Sequence, residues 1–126
     1  MILIFGGAYQ GKLAYALDRF YVTESDVYRC KSDDVRMPEN RKLIYEIDKW
    51  ILALVENNID VEKAMRQFID CNQDAVVICN DISCGVVPLD PVLRKWREAV
   101  GRSLAVLSRT SDEVIRLFCA IPARVK

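Results

Sequence analysis

The sequence predicts an α/β fold: a three-layer sandwich with a mostly parallel sheet and helices on both faces. Three observations lead there. The chain opens with an apolar run, a glycine loop and a helical segment; strand-length apolar runs then alternate with helical periodicity; and no internal repeat or low-complexity stretch competes. A length of 126 residues suits one domain, residues 1–126. A domain of that size buries somewhat under ~70% of its unfolded surface.

The first element is a short buried strand, Met1 to Phe5, broken by Gly6 and Gly7. Gly11 and Lys12 follow, and a helix runs from Leu13 to Phe20 with Leu13, Ala16, Leu17 and Phe20 on one face. Gly6, four residues, Gly11 and Lys12 is the spacing of a phosphate-binding loop, in which glycines let successive backbone N–H groups turn inward around a β-phosphate. Lys12 would reach the β- and γ-phosphates, and the positive end of the helix faces the same anion. The nucleotide-binding candidates are therefore Gly6, Gly7, Ala8, Tyr9, Gln10, Gly11, Lys12 and Leu13, the bound nucleotide is ATP or GTP, and the fold is of the P-loop NTPase type. Leu13 departs from the pattern. A Ser or Thr there normally offers a hydroxyl to Mg²⁺, and leucine offers none, so the metal is expected to bind weakly.

After Thr23 to Asp26, Val27 to Cys30 reads as a second strand. Lys31 to Arg41, polar and containing Pro38, reads as an exposed or partly mobile loop with no chemistry assigned. Lys42 to Ile47 is a third strand, and a helix starts at Asp48 and carries Trp50, Ile51, Leu54 and Val55. An acid at the end of such a strand is where phosphate-loop proteins hold Mg²⁺, which makes Glu46 and Asp48 the metal candidates and, with Lys12, the catalytic ones. The competing reading makes Asp48 a helix N-cap and Glu46 a solvated strand end.

Asn57, Asn58 and Asp60 mark a turn, and Val61 to Cys71 is a helix with Val61, Ala64, Met65, Phe68 and Ile69 on its core face. Ala75 to Cys79 is a fourth strand, followed by Asn80, Asp81, Ile82, Ser83, Cys84, Gly85, Val86, Val87 and Pro88, the kind of polar segment past a strand end where open α/β sheets bind ligands. Pro91 opens a long helix whose buried stripe is Leu93, Trp96, Val100, Leu104 and Leu107, with Arg94, Arg97 and Gly101 on another face. Asn80, Asp81, Arg94 and Arg97 are the substrate-binding candidates; for the arginines the alternative is a solvated charged face. Asp112 to Phe118 is a fifth strand and Ile121 to Val125 a sixth.

Lys plus Arg and Asp plus Glu number 18 each, which argues against the basic footprint of a nucleic-acid binder. Five scattered cysteines read as reduced, mostly buried thiols in a cytoplasmic protein. The start MILIF is too short for a signal peptide or a membrane span, and no histidine is present to complete a zinc site with Cys79 and Cys84.

The C-terminal third resembles the bifunctional adenosylcobinamide kinase and adenosylcobinamide-phosphate guanylyltransferase family of cobalamin biosynthesis. The resemblance rests on Asn80, Gly85, Val86, Val87 and Pro88, on Arg97, Glu98 and Gly101, and on Asp112, Glu113 and Val114 with the tail to Lys126. Gly6, Gly7, Ala8, Gly11 and Lys12 echo the family loop, and Glu46 to Trp50 echo its acid, Thr and Trp segment. Gln10 and Leu13 replace the loop serines, Asp81 and Ser83 replace a Glu and a Gly, and Leu104 and Ala105 replace an Asn-Gln pair. The resemblance implies a corrinoid substrate, phosphoryl transfer to a side-chain hydroxyl and a homotrimer. The family's guanylyl transfer runs through a covalent nucleotide on a histidine, which this chain lacks. Two functions follow: a kinase without the guanylyltransferase half, or a degenerate relative that keeps the phosphate cradle as a nucleotide-binding or interaction module.

Overall fold

A computed structural model describes residues 1–82 and 88–126; Ser83, Cys84, Gly85, Val86 and Val87, which carry part of the motif after the fourth strand, lie outside the described residues. The strands are β1 (Ile2–Gly6), β2 (Val27–Arg29), β3 (Leu43–Tyr45), β4 (Val76–Asn80), β5 (Glu113–Phe118) and β6 (Ile121–Arg124), and the helices are α1 (Lys12–Arg19), α2 (Ile47–Glu56), α3 (Val61–Cys71) and α4 (Pro91–Thr110). They form one six-stranded sheet in the order β2-β3-β4-β1-β5-β6, parallel except for the antiparallel β5–β6 pair.

Alternation along β1 separates the two cores. Leu3 belongs to the cluster on the face of α2, α3 and α4, with Trp50, Ile51, Leu54, Met65, Phe68, Val100 and Leu107. Ile4 belongs to the cluster on the opposite face, where Leu13 and Ala16 of α1 pack. This is the expected three-layer sandwich, with α1 covering one face and three helices the other. Successive side chains of a strand point to opposite faces, so a strand buried on both must be apolar throughout, as in Ile2-Leu3-Ile4-Phe5 and Val76-Val77-Ile78-Cys79.

α1 packs on one face of the sheet and α4 on the other, so the chain continues to opposite faces from the carboxyl ends of the neighbouring strands β1 and β4. Their last residues, Gly6 and Asn80, are register partners, and the Asp81 N–H donates to the Gly6 carbonyl at 2.8 Å. Open α/β sheets bind ligands at such a switch point.

Several sequence expectations change. β3 ends at Tyr45 because Glu46 is left-handed, φ 60°, and acts as the N-cap of α2, whose first residue is Ile47. Leu93 is exposed; Val100, Ser103 and Leu107 form the buried stripe of α4, with Trp96 and Leu104 half-buried. The 31–41 segment is a mostly exposed loop, as expected, but it is anchored at three points. Trp50 Nε1 donates to the Val35 carbonyl at 3.1 Å, the buried Asn72 donates to the Pro38 carbonyl at 2.8 Å, and Met37 packs on the core. Of the cysteines, Cys30 and Cys79 are buried whereas Cys71 and Cys119 are exposed.

Candidate functional site

The glycine loop follows β1 and turns under local constraint. A Cβ on Gly6 would stand 2.3 Å from the Leu117 carbonyl of β5, so only glycine lets β1 approach β5 this closely. Gly11 is left-handed, φ 83°, and is the N-cap of α1. No side chain caps α1 and no acid stands in its first turn, which leaves the positive end of the helix to the loop. Ala8 and Tyr9 are exposed, and Tyr9 is itself left-handed, φ 60°.

Lys12 is only 4% exposed, and its ammonium folds back over the loop to donate to the Gly7 carbonyl at 2.5 Å. Burial lowers its pKa, while Asp48, Cys79 and Glu46 act in the opposite direction. The fold thus brings Lys12, from the β1–α1 junction, within electrostatic reach of Asp48, from the β3–α2 junction.

Asp48 is not an N-cap. Its carboxylate is buried in the first turn of α2 and accepts the Asn80 N–H at 3.0 Å and Asn80 Nδ2 at 3.4 Å. Burial pushes its pKa above the usual carboxylate value, and the hydrogen bonds from Asn80 work against that rise. Glu46 is turned toward Lys49, 2.9 Å away, and it too acts on Lys12 electrostatically. Asn80 is therefore bound into the site through Asp48, and Asp81 through Gly6. Arg94 is exposed and Arg97 half-buried on α4. Their helix reaches the site through Trp96, whose Nε1 donates to the Asp48 carbonyl at 2.7 Å.

This arrangement suits a phosphate group: two glycines where a side chain would clash or strain, an uncapped helix start and an ammonium beside them. Leu13 packs against the α1-side core, and both Asp48 oxygens are engaged by Asn80. A groove of about 940 Å³ lies elsewhere, between α3 and α4. Its walls carry the Glu62–Arg66 and Glu98–Arg102 pairs and none of the residues above.

Sequence reading missed one neighbour of the loop. The turn between β5 and β6, Cys119 and Ala120, donates its Cys119 N–H to Gln10 Oε1 and its Ala120 N–H to the Gln10 carbonyl. No local signal marks that contact, which joins positions 109 residues apart.

A parallel sheet with a glycine loop at its switch point and a buried acid after β3 defines, in fold, an α/β protein of the phosphate-loop type. The comparison with family models makes the assignment specific: the cobinamide kinase / cobinamide phosphate guanyltransferase model matches residues 33–125, well over half of the chain, and the chain belongs to that family. The matched span begins beyond the glycine loop. No curated protein matches the chain.

Proposed function

We propose that the chain binds the phosphates of ATP or GTP in the loop from Gly6 to Leu13 and transfers a phosphoryl group to the side-chain hydroxyl of a corrinoid. The observation that carries this reading is Lys12, a buried ammonium drawn over a glycine loop at an uncapped helix start. Phosphoryl transfer asks a protein mainly for positioning and charge neutralisation. Lys12 would neutralise the β- and γ-phosphates, Asn80, Asp81, Arg94 and Arg97 would meet the acceptor, and Glu46 and Asp48 would offer Mg²⁺ a weak site. Guanylyl transfer through a histidine is not part of the proposal, because the chain has no histidine. We take the active unit to be one domain assembled as a homo-oligomer in the cytoplasm.

A second reading has a specific observation behind it. Leu13 is packed into the core rather than offering oxygen to a metal, as a nucleotide-binding module without catalysis would tolerate. One experiment separates the two. The melting temperature is measured with millimolar ATP and GTP for the wild type and Lys12→Ala, and the same mixtures with cobinamide are assayed for phosphorylated product. A ligand at a hundred times its dissociation constant stabilises by roughly 2.7 kcal/mol. A shift that Lys12→Ala abolishes, together with product, supports the kinase; the shift without product supports the module. Absence of any shift in wild type removes both.

A further inference from the structure

We infer that Gln10 is a positioning residue: it latches the glycine loop to the turn between β5 and β6, so that the edge hairpin sets the loop's shape and through it the affinity for nucleotide phosphate. The inference rests on the nucleotide reading above and assigns a role within the same site.

β6 is hard to explain by packing. All four of its residues are exposed, and at the sheet edge it pairs only with β5. A strand that buries no core contributes little hydrophobic stabilisation. Its connection to β5, however, reaches the loop at two positions. The Gly11 Cβ direction meets Ala120 Cβ at 3.5 Å, and beside it Gln10 accepts from two consecutive turn amides. The Ala120 N–H reaches the Gln10 carbonyl at 3.0 Å, and the Cys119 N–H reaches the Gln10 side-chain oxygen.

The turn itself is costly. Cys119 and Ala120 are both left-handed, φ 49° and 63°, a conformation that two-residue hairpins usually assign to Asn and Gly. Neither residue prefers it, and Gln10 supplies partners to both amides in that conformation. A shorter side chain at position 10 would keep the main-chain bond but leave the Cys119 amide without its acceptor. The loop would then be held to the turn by one hydrogen bond instead of two, and binding would have to fix a less ordered loop, which lowers affinity.

The test uses the full chain. Wild type, Gln10→Ala and the double substitution Cys119→Asn with Ala120→Gly are compared by amide hydrogen exchange without nucleotide, by calorimetric titration with ATP and with GTP, and by melting temperature. In Gln10→Ala the Cys119 amide should exchange at least about tenfold faster, and nucleotide affinity should fall about tenfold, the loss expected for one hydrogen bond. Its melting temperature without nucleotide should stay within a few degrees of wild type. The double substitution keeps both turn amides in residues suited to the turn and should bind as wild type does. The inference is overturned if Gln10→Ala binds nucleotide like wild type, or if it loses only melting temperature. Nucleotide binding by wild type in that case leaves the reading of the loop standing; failure of wild type to bind ATP or GTP overturns that reading and the role of Gln10 together.

Discussion

The Asp48 carboxylate accepts the backbone N–H of Asn80 at 3.0 Å, tying the start of α2 to the end of β4 beneath Lys12. The carboxylate is buried and the bond partly buried, so removing the acceptor leaves a partly buried donor without its partner. Asp48→Ala should cost about 2 to 3 kcal/mol in urea denaturation, and Asp48→Asn, which keeps one oxygen, about 1 kcal/mol. The pH dependence has a definite sign. Burial raises the Asp48 pKa in the folded state, so the group's contribution is fully present below its unfolded pKa and is lost as pH rises through the folded value. The stability difference between wild type and Asp48→Asn should therefore move against wild type as pH rises from the ordinary carboxylate range toward neutrality. A pH-independent difference would contradict the burial argument.

Leu13 packs against the α1-side core instead of presenting an oxygen at the loop. We expect nucleotide affinity to fall less on chelation with EDTA than it does where a hydroxyl ligates the metal, and Leu13→Ser to restore part of that dependence. Because Leu13 is half-buried, the same substitution should cost about 1 to 2 kcal/mol, at or below the lower end for large-to-small core changes. Titrations with Mg²⁺ and with EDTA on both proteins check it, and strong Mg²⁺ dependence in wild type would count against it.

Two glycines should respond in opposite directions. Gly6→Ala places a methyl group 2.3 Å from the Leu117 backbone oxygen, and the strands must separate to admit it. The expected cost is about 2 to 3 kcal/mol. Gly101, inside α4, has no atom within 4 Å of the position its Cβ would take, so Gly101→Ala should stabilise by about 0.5 to 1 kcal/mol. Chemical denaturation of the two variants gives both signs.

Thiol labelling should separate the cysteines by burial. Cys30 is pushed up to about 12 by desolvation, with Asp48, Glu46 and Asp34 adding to the rise, and Cys79 is raised well above its ordinary value chiefly by its burial. The thiolate is the reactive form, so iodoacetamide at pH 8 should modify Cys71 and Cys119 in the native protein and spare Cys30 and Cys79 until denaturant is added. Peptide mass spectrometry reads each site, and early modification of Cys79 would show that the end of β4 opens readily.

Local chemistry determined much of this protein by itself. Apolar runs such as Ile2 to Phe5 and Val76 to Cys79, short and bounded by turn residues, read as strands buried on both faces, and Gly6, Gly11 and Lys12 mark a loop whose spacing is a property of consecutive residues. The motifs at the chain's C-terminal end pointed to the family that the comparison over residues 33–125 then showed. Tertiary structure decided the partners of the two acids. Glu46 and Asp48 are equivalent candidates in sequence, but Glu46 pairs with Lys49 while Asn80, 32 residues away, holds Asp48, and both acids act on Lys12. It also decided that the 31–41 segment is fastened by Trp50 and Asn72, and that Gln10 meets a turn 109 residues further on. Periodicity and spacing report forces between near neighbours along the chain; a hydrogen bond across the sheet depends on strand order and register, which no local pattern contains.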